Sequence, residues 1–430
     1  MQQIVVVGGQ RLQGKVAVHA AKNAALPIMA ASLLASSPSS LREIPPIEDV
    51  ETMKELLVSL GVDLFEEGDT LHIRVQGPLN TQAGYDLTRK MRASILIMGP
   101  LLARTGRVEV GMPGGCAIGA RPIDLHLKGF AALGAEVEER PGWVEARAPR
   151  GLKGNHIYLD YPSVGATENI MMAAVLAKGT TTIENAAEEP EVVDLANFLN
   201  SMGARVQGAG TRVIRIEGVG ELQGASSYTP IPDRLEAGTF LVAAVATGSL
   251  LTVTNVIPDH LAAILAKLRE VGAAIEVEDD QVTIEAPARI QATNIKTLPY
   301  PGFPTDMQAP FMVLLTMADG ESTVTETVFE NRFRHVEELR RMGAQIKVEG
   351  STATIQGVPR LKGAPVVATD LRAGAALVLA GLAAEGQTVI SGVHHIDRGY
   401  HRLVERLQQL GARIQRVQPL GVPTGDLTPQ

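Results

Sequence analysis

The sequence predicts an α/β protein built from six similar units, grouped as two pseudo-threefold domains with helices inside and strands outside. A short phrase recurs six times: Leu60-Gly61-Val62, Leu133-Gly134-Ala135, Met202-Gly203-Ala204, Val271-Gly272-Ala273, Met342-Gly343-Ala344 and Leu410-Gly411-Ala412. Its copies lie about 70 residues apart, and self-similarity at a fixed period outranks any local reading of helix or strand. A second kind of segment, apolar almost all round and rich in Ala, Gly and Met, also recurs six times, which marks helices buried on every side. After the glycine phrases come pairs of alternating polar and apolar segments, which read as β-hairpins.

In chain order, residues 3–8 form a strand with no partner of its own, expected to join the last sheet of the C-terminal half. The buried helices are expected at 22–36, 92–105, 165–178, 235–247, 306–318 and 371–384. Short strands follow several of them, at 180–183, 251–253, 322–324 and 388–390. Half-exposed amphipathic helices are expected at 50–59, 194–201, 260–270, 333–341 and 399–409, where apolar residues recur every three or four positions. The glycine then stops each helix, as a C-terminal glycine does. Hairpins follow, for example 274–278 with 282–285 and 345–348 with 353–356. Each unit is thus a βαβαββ-type repeat. Tyr228-Thr229-Pro230-Ile231-Pro232 reads as a stiff extended linker, because proline holds its predecessor extended. The domains are therefore expected at 22–229 and at 1–21 plus 230–418, with 419–430 a loosely ordered tail.

Composition narrows the function. Aromatic residues make up only 3% while Gly and Ala abound, which implies closely packed helices. A net charge of -8 without a basic cluster counts against nucleic acid as a partner. One cysteine excludes a disulfide framework, and no Cys/His cluster has the spacing of a structural zinc site. The longest uncharged run, 237–258, is interrupted by Gly248, Ser249 and Asn255 and reads as helix then strand, not as a membrane span. No secretion signal is legible, so a soluble cytoplasmic protein is expected. Walker A, dinucleotide-fingerprint, nucleophile-elbow and HExxH motifs do not occur, which argues against the common P-loop enzymes, dehydrogenases and hydrolases.

The chemistry is expected in two places. The first is Gly114-Gly115-Cys116-Ala117-Ile118-Gly119-Ala120-Arg121-Pro122-Ile123-Asp124, where glycines let the backbone approach a ligand and Arg121 offers a fork for phosphate or carboxylate. The second is the set of polar leads into the buried helices: Lys22-Asn23, Lys90-Met91-Arg92, Ser163 to Asn169, Asp233-Arg234, Thr305-Asp306 and Asp370-Leu371-Arg372. Equivalent units put these leads at one end of each domain, where helix N-termini favour anions. Capping and inter-domain ion pairs account equally well for Asp233, Arg234, Glu236 and Asp370. They account less well for Lys22 and Arg92, since a cation there opposes the helix dipole unless an anion sits between. Arg398 adds a further cation, and Asp306 reads either as a helix cap or as a general base. The residues alone describe a two-domain cleft enzyme acting on anions.

Lys22-Asn23-Ala24-Ala25-Leu26-Pro27, Gly114 to Gly119, Arg121 to His126, Ser163 to Thr167, Pro304-Thr305-Asp306 and Asp397-Arg398-Gly399-Tyr400 resemble motifs of the enolpyruvyl transferases, in the same order. The resemblance runs from about Gly8 to Arg416. It implies two inside-out α/β barrels that close on a nucleotide sugar, and transfer of the enolpyruvyl group of phosphoenolpyruvate to the 3-hydroxyl of UDP-N-acetylglucosamine with release of phosphate. It implies no metal and no organic cofactor, and no obligate protein partner or membrane is evident. By position it places Lys22, Asn23, Arg121 and Arg398 on phosphoenolpyruvate. Arg92, Arg121, Pro122, Ile123, Asp124, Leu125, Ser163, Val164, Gly165, Asp306 and Val328 fall on the nucleotide sugar. Cys116 resembles the acid that protonates C3, and Asp306 would take the hydroxyl proton. This chain departs at Tyr161, where some members carry a lysine that touches the diphosphate. A second reading of the residues is a catalytically silent repeat protein that binds nucleotide sugars, with Cys116 as a redox-sensing thiol.

Overall fold

Residues 2–112 and 122–418 are described in the computed structural model of the chain. The cysteine loop with Cys116 and Arg121, and the tail expected to be loosely ordered, lie outside the described residues.

The glycine phrase does what its chemistry demands. Gly61, Gly134, Gly203, Gly272, Gly343 and Gly411 all have φ between 91° and 101°, the left-handed region that side chains with a Cβ rarely adopt. Each ends a helix, after which the chain turns back into a strand.

The six expected buried helices all form. In the first half they are Lys22–Ala31, continued by a 3-10 turn, then Met98–Thr105, entered through the 3-10 turn Arg92–Ile97, and Val164–Ala174. In the second half they are Arg234–Ala246, Gln308–Leu315, entered through Thr305–Met307, and Leu371–Ala383. Within each half these helices pack on one another. Small residues set how closely: a Cβ built on Gly99 would lie 2.3 Å from the Asn169 carbonyl oxygen. The Gly99 N–H instead donates to Asn169 Oδ1 at 2.7 Å. An alanine at that crossing would push two core helices apart.

Strands lie outside the helices, in six sheets among the described residues. In five sheets a short strand pairs in parallel with the strand that follows a buried helix, as His156–Tyr158 does with Thr180–Glu184. A hairpin completes the unit, for example Gln345–Glu349 with Thr352–Gln356. In the first sheet the linker itself supplies the parallel edge. Tyr228 bridges Leu41, accepting from the Arg42 N–H at 2.8 Å and donating to the Ser40 carbonyl at 3.0 Å. The opening strand Gln3–Val7 lies between Gln387–Ser391 and Arg413–Val417, antiparallel to both, so the N-terminus completes the last sheet as expected.

Two hydrophobic cores result. One gathers buried side chains from Ala21 to Ala225, the other those of Ile4 to Val18 and Leu235 to Ile414. Each is a bundle of three apolar helices wrapped by three sheets, an inside-out α/β barrel. No helix among the described residues is long and apolar enough to cross a membrane.

Two helices differ from expectation. The helix Pro190–Ser201 is not half exposed: Asn197, Asn200 and Ser201 reach solvent, while Lys22–Ala31 packs on its other faces. The last amphipathic helix begins at Leu403 rather than near Gly399, because Arg402 adopts φ 47° and breaks the turn before it.

Candidate active site

The leads into the buried helices gather where the two barrels face each other. Lys22 opens the first helix, and its Nζ lies 2.7 Å from Asp49 Oδ2. Asp49 sits in the acidic first turn of the helix Glu48–Ser59. Its other oxygen accepts from Arg398 Nε at 2.9 Å, across from the second barrel. The anion needed between cations at a helix N-terminus is therefore present. It is a side chain that sequence reasoning missed. Burial works against ionisation of Asp49, yet Lys22 and Arg398 outweigh it and hold the carboxyl below its usual range. The Lys22 backbone N–H also points at Asp233 Oδ2, at 3.4 Å.

Asp306 is not a helix cap. Its carboxylate lies 2.8 Å from Arg332 Nη2 and 3.4 Å from Arg372 Nη2, two guanidiniums almost fully buried. Burial alone would raise its pKa, but Arg372, Arg332 and, across the interface, Lys22 push it well below the usual carboxylate range. Arg372 donates in turn to the buried Tyr400 hydroxyl at 2.9 Å, which pairs with Thr239 Oγ1 at the same distance. Thr305, just before Asp306, donates to Glu326 Oε2 at 2.9 Å. Glu326 also accepts from the Val328 N–H at 2.8 Å, so it ties the segment carrying Val328 to the turn carrying Asp306. Arg332 and Glu326 were not singled out from sequence, since each lies in an ordinary charged stretch.

The capping alternative holds for the other acidic leads. Asp233 caps Arg234–Ala246 through the Leu235 and Glu236 N–H groups, and Asp370 caps Leu371–Ala383 through Arg372 and Ala373. Arg234 pairs with Glu191 of the other barrel at 3.0 Å, both buried. Glu236 takes the His19 N–H at 2.8 Å and pairs with Arg406.

A second group lies wholly on the first barrel. Arg92 donates to the Pro122 carbonyl at 3.4 Å. Asp124 opens the helix Asp124–Ala132, whose buried His126 approaches Gly165 and bonds Asn169 at 3.0 Å. Ser163 caps Val164–Ala174 by accepting from the Ala166 N–H. The 122–126 and 163–165 segments are thus brought together through His126. Ile123 is buried in the core, Leu125 and Val164 are partly buried against it, and Asn23 follows Lys22 in the first turn. Tyr161 stands 41% exposed beside this group. Among the described residues no cluster of His, Cys, Asp and Glu is placed to hold a metal ion.

Two inside-out barrels with cations and a buried carboxylate at their facing ends define an enolpyruvyl transferase architecture. The model of the family EPSP synthase (3-phosphoshikimate 1-carboxyvinyltransferase) matches residues 6–407, and the chain belongs to that family of enolpyruvyl transferases. Within it, the chain groups with the UDP-N-acetylglucosamine 1-carboxyvinyltransferases. It is 58% identical over 421 residues to UDP-N-acetylglucosamine 1-carboxyvinyltransferase 1 of Symbiobacterium thermophilum, covering 97% of this chain and 95% of that one. It is also 58% identical to UDP-N-acetylglucosamine 1-carboxyvinyltransferase 2 of Carboxydothermus hydrogenoformans, covering 97% and 100%. The enolpyruvyl transferase NikO from Streptomyces tendae superposes with a TM-score of 0.87 at 26% identity, over 96% of this chain and 98% of that one. EPSP synthase from Acinetobacter baumannii superposes at 0.76 with 18% identity, over 97% and 100%, a likeness of fold alone.

Proposed function

We propose that this protein transfers the enolpyruvyl group of phosphoenolpyruvate to the 3-hydroxyl of UDP-N-acetylglucosamine and releases phosphate. The observation that carries the reading is the 58% identity over 97% of the chain to transferases of that name. Lys22, Asn23, Arg398 and Arg121 bind phosphoenolpyruvate. Arg92, the 121–125 segment, Ser163, Val164, Gly165, Asp306 and Val328 bind the nucleotide sugar. The domains in this reading are 22–229 and 1–21 plus 230–418. The reaction is the committed step of peptidoglycan precursor synthesis and takes place in the cytoplasm.

The chemistry runs by addition and elimination. Cys116 gives a proton to C3 of phosphoenolpyruvate, the sugar oxygen bonds to C2, and its proton passes to Asp306. The Cys116 thiolate then takes a proton back from C3 as phosphate leaves C2, which restores both the double bond and the thiol. Two guanidiniums hold Asp306 ionised, which keeps it an acceptor but makes it a weak base. The hydroxyl proton is therefore transferred as C2 becomes electron-poor, when that proton turns acidic. The cations about Asp49 suit the phosphate that departs. Nothing in the fold or the relatives favours a silent binding protein. Mixing phosphoenolpyruvate with UDP-N-acetylglucosamine should release phosphate, and omitting either should abolish it. Sugar-nucleotide binding without phosphate release would refute the reading.

A further inference from the structure

Asp49 is the one carboxylate among the described residues that contacts both Lys22 and Arg398, and it belongs to neither the proton-transfer chemistry nor a helix cap. Its side chain is 4% exposed, against 14% for Lys22 and 33% for Arg398. Arg398 presents Nε to Oδ1 at 2.9 Å and Nη2 to Oδ2 at 3.4 Å, a side-on pairing that fixes the plane of the guanidinium. Lys22 meets Oδ2 at 2.7 Å. The contact joins the barrels, since Asp49 is on the helix Glu48–Ser59 and Arg398 follows the short helix His394–Asp397. Beside it His401 Nδ1 lies 3.2 Å from the Pro46 carbonyl, so the same two segments meet twice.

Lysine and arginine stems are long and lose much rotamer freedom when fixed. Two such cations from separate barrels repel one another and would spread apart without an anion between them. We propose that Asp49 is a positioning residue that aims Lys22 and Arg398 at one point, so that the phosphate of phosphoenolpyruvate meets a clamp already assembled. The proposal rests on the enolpyruvyl transfer reading. Asp49 has an opposing effect, because a carboxylate near an incoming phosphate repels it. The pairing of that carboxylate with two cations screens the repulsion, and the same pairing restrains both cations together. Positioning therefore outweighs repulsion.

The test uses the full chain with Asp49→Asn, Asp49→Ser and Asp49→Glu. The two neutral variants duplicate one another: the one that melts cooperatively near the wild type is scored, and loss of folding in both overturns the proposal in favour of a structural role. KM for phosphoenolpyruvate and kcat come from phosphate release, and the Kd for UDP-N-acetylglucosamine comes from calorimetry. The neutral variant should raise KM for phosphoenolpyruvate ten- to a hundredfold and leave the Kd within threefold. Asp49→Glu keeps the charge and should lose less. An unchanged KM overturns the proposal, and a lowered KM makes Asp49 a competitor of the phosphate. Equal losses for both substrates, or a glutamate variant as poor as the neutral one, also overturn it. Wild-type protein that releases no phosphate would refute the transfer reading instead, which keeps the two failures apart.

Discussion

Asp306→Asn removes one negative charge from between two guanidiniums and changes almost nothing else in shape. Arg332 and Arg372 are 4% and 5% exposed and face the carboxylate at 2.8 and 3.4 Å. Breaking a buried pair by removing one partner costs about 3–5 kcal/mol. Asp306 itself is 26% exposed, and the asparagine carbonyl can still accept from one guanidinium, so the loss should be nearer ~1–3 kcal/mol. In a chain this long that is a fall of only a few degrees in Tm. Turnover should fall far more, by roughly 10²–10⁴-fold, the range for losing a positioned proton acceptor. Acid sensitivity should change with it. The depressed carboxyl contributes stability above the ordinary aspartate range near ~3.9 and loses it as pH falls through its lower folded value. The wild type should therefore lose Tm more steeply than Asp306→Asn as pH drops below about 4. Phosphate release and melting curves across pH measure both effects. An asparagine variant with wild-type turnover would refute the assignment of Asp306 as acceptor.

Arg398→Ala should raise KM for phosphoenolpyruvate by about ten- to a hundredfold, the worth of one charge-assisted contact of ~1.5–3 kcal/mol, with little change in UDP-N-acetylglucosamine binding by calorimetry. Glu168 is fully buried in the helix Val164–Ala174, faces Glu191 and Glu189, and has one oxygen, Oε1, without a hydrogen-bond partner. Burial first, then these carboxylates, push its pKa well up, so the wild type gives up stability as pH rises above the ordinary glutamate range. Glu168→Gln should therefore gain Tm relative to wild type at pH 8 compared with pH 5, and parallel melting at both pH values would contradict this. If Cys116 is the proton donor, Cys116→Ser should lose most phosphate release while Cys116→Asp keeps a substantial part with a lower pH optimum. A fully active serine variant would remove Cys116 from the chemistry.

Most of the fold was legible because its signals are local and repeated. A glycine at φ > 0 after an amphipathic run, an all-apolar helix and an alternating hairpin each announce themselves within fifteen residues, and six copies average out local error. The opening strand could be assigned to the last sheet because it had no partner nearby. Tertiary burial was less legible. The helix Pro190–Ser201 extends beyond the expected half-exposed stretch 194–201, and its acids are buried: Glu191 pairs with Arg234 and Asp194 accepts from Tyr228 and the Ile231 N–H. These three partners come from around the inter-barrel linker, too far along the chain for periodicity to reveal. The Arg402 break was hidden for another reason, since a left-handed arginine has no sequence signature.

The site divides along the same line. Lys22 could be suspected because a cation at the N-terminus of a buried helix needs an anion, and Arg398 because it adds a further cation to that group. That Asp49 supplies the anion depends on contacts 27 and 349 residues away. In sequence Asp49 is an ordinary acidic residue in the first turn of a helix, favourable to the dipole and otherwise silent. Arg332 likewise reads as one charge among several in Asn331-Arg332-Phe333-Arg334, and only the fold turns it towards Asp306.

One parallel assay tests the choice of acceptor most directly. Purified protein is given phosphoenolpyruvate with either UDP-N-acetylglucosamine or 3-phosphoshikimate, and phosphate is measured over time. Steady release is expected with the nucleotide sugar and none with 3-phosphoshikimate. Release with 3-phosphoshikimate, or with neither acceptor, would contradict that choice.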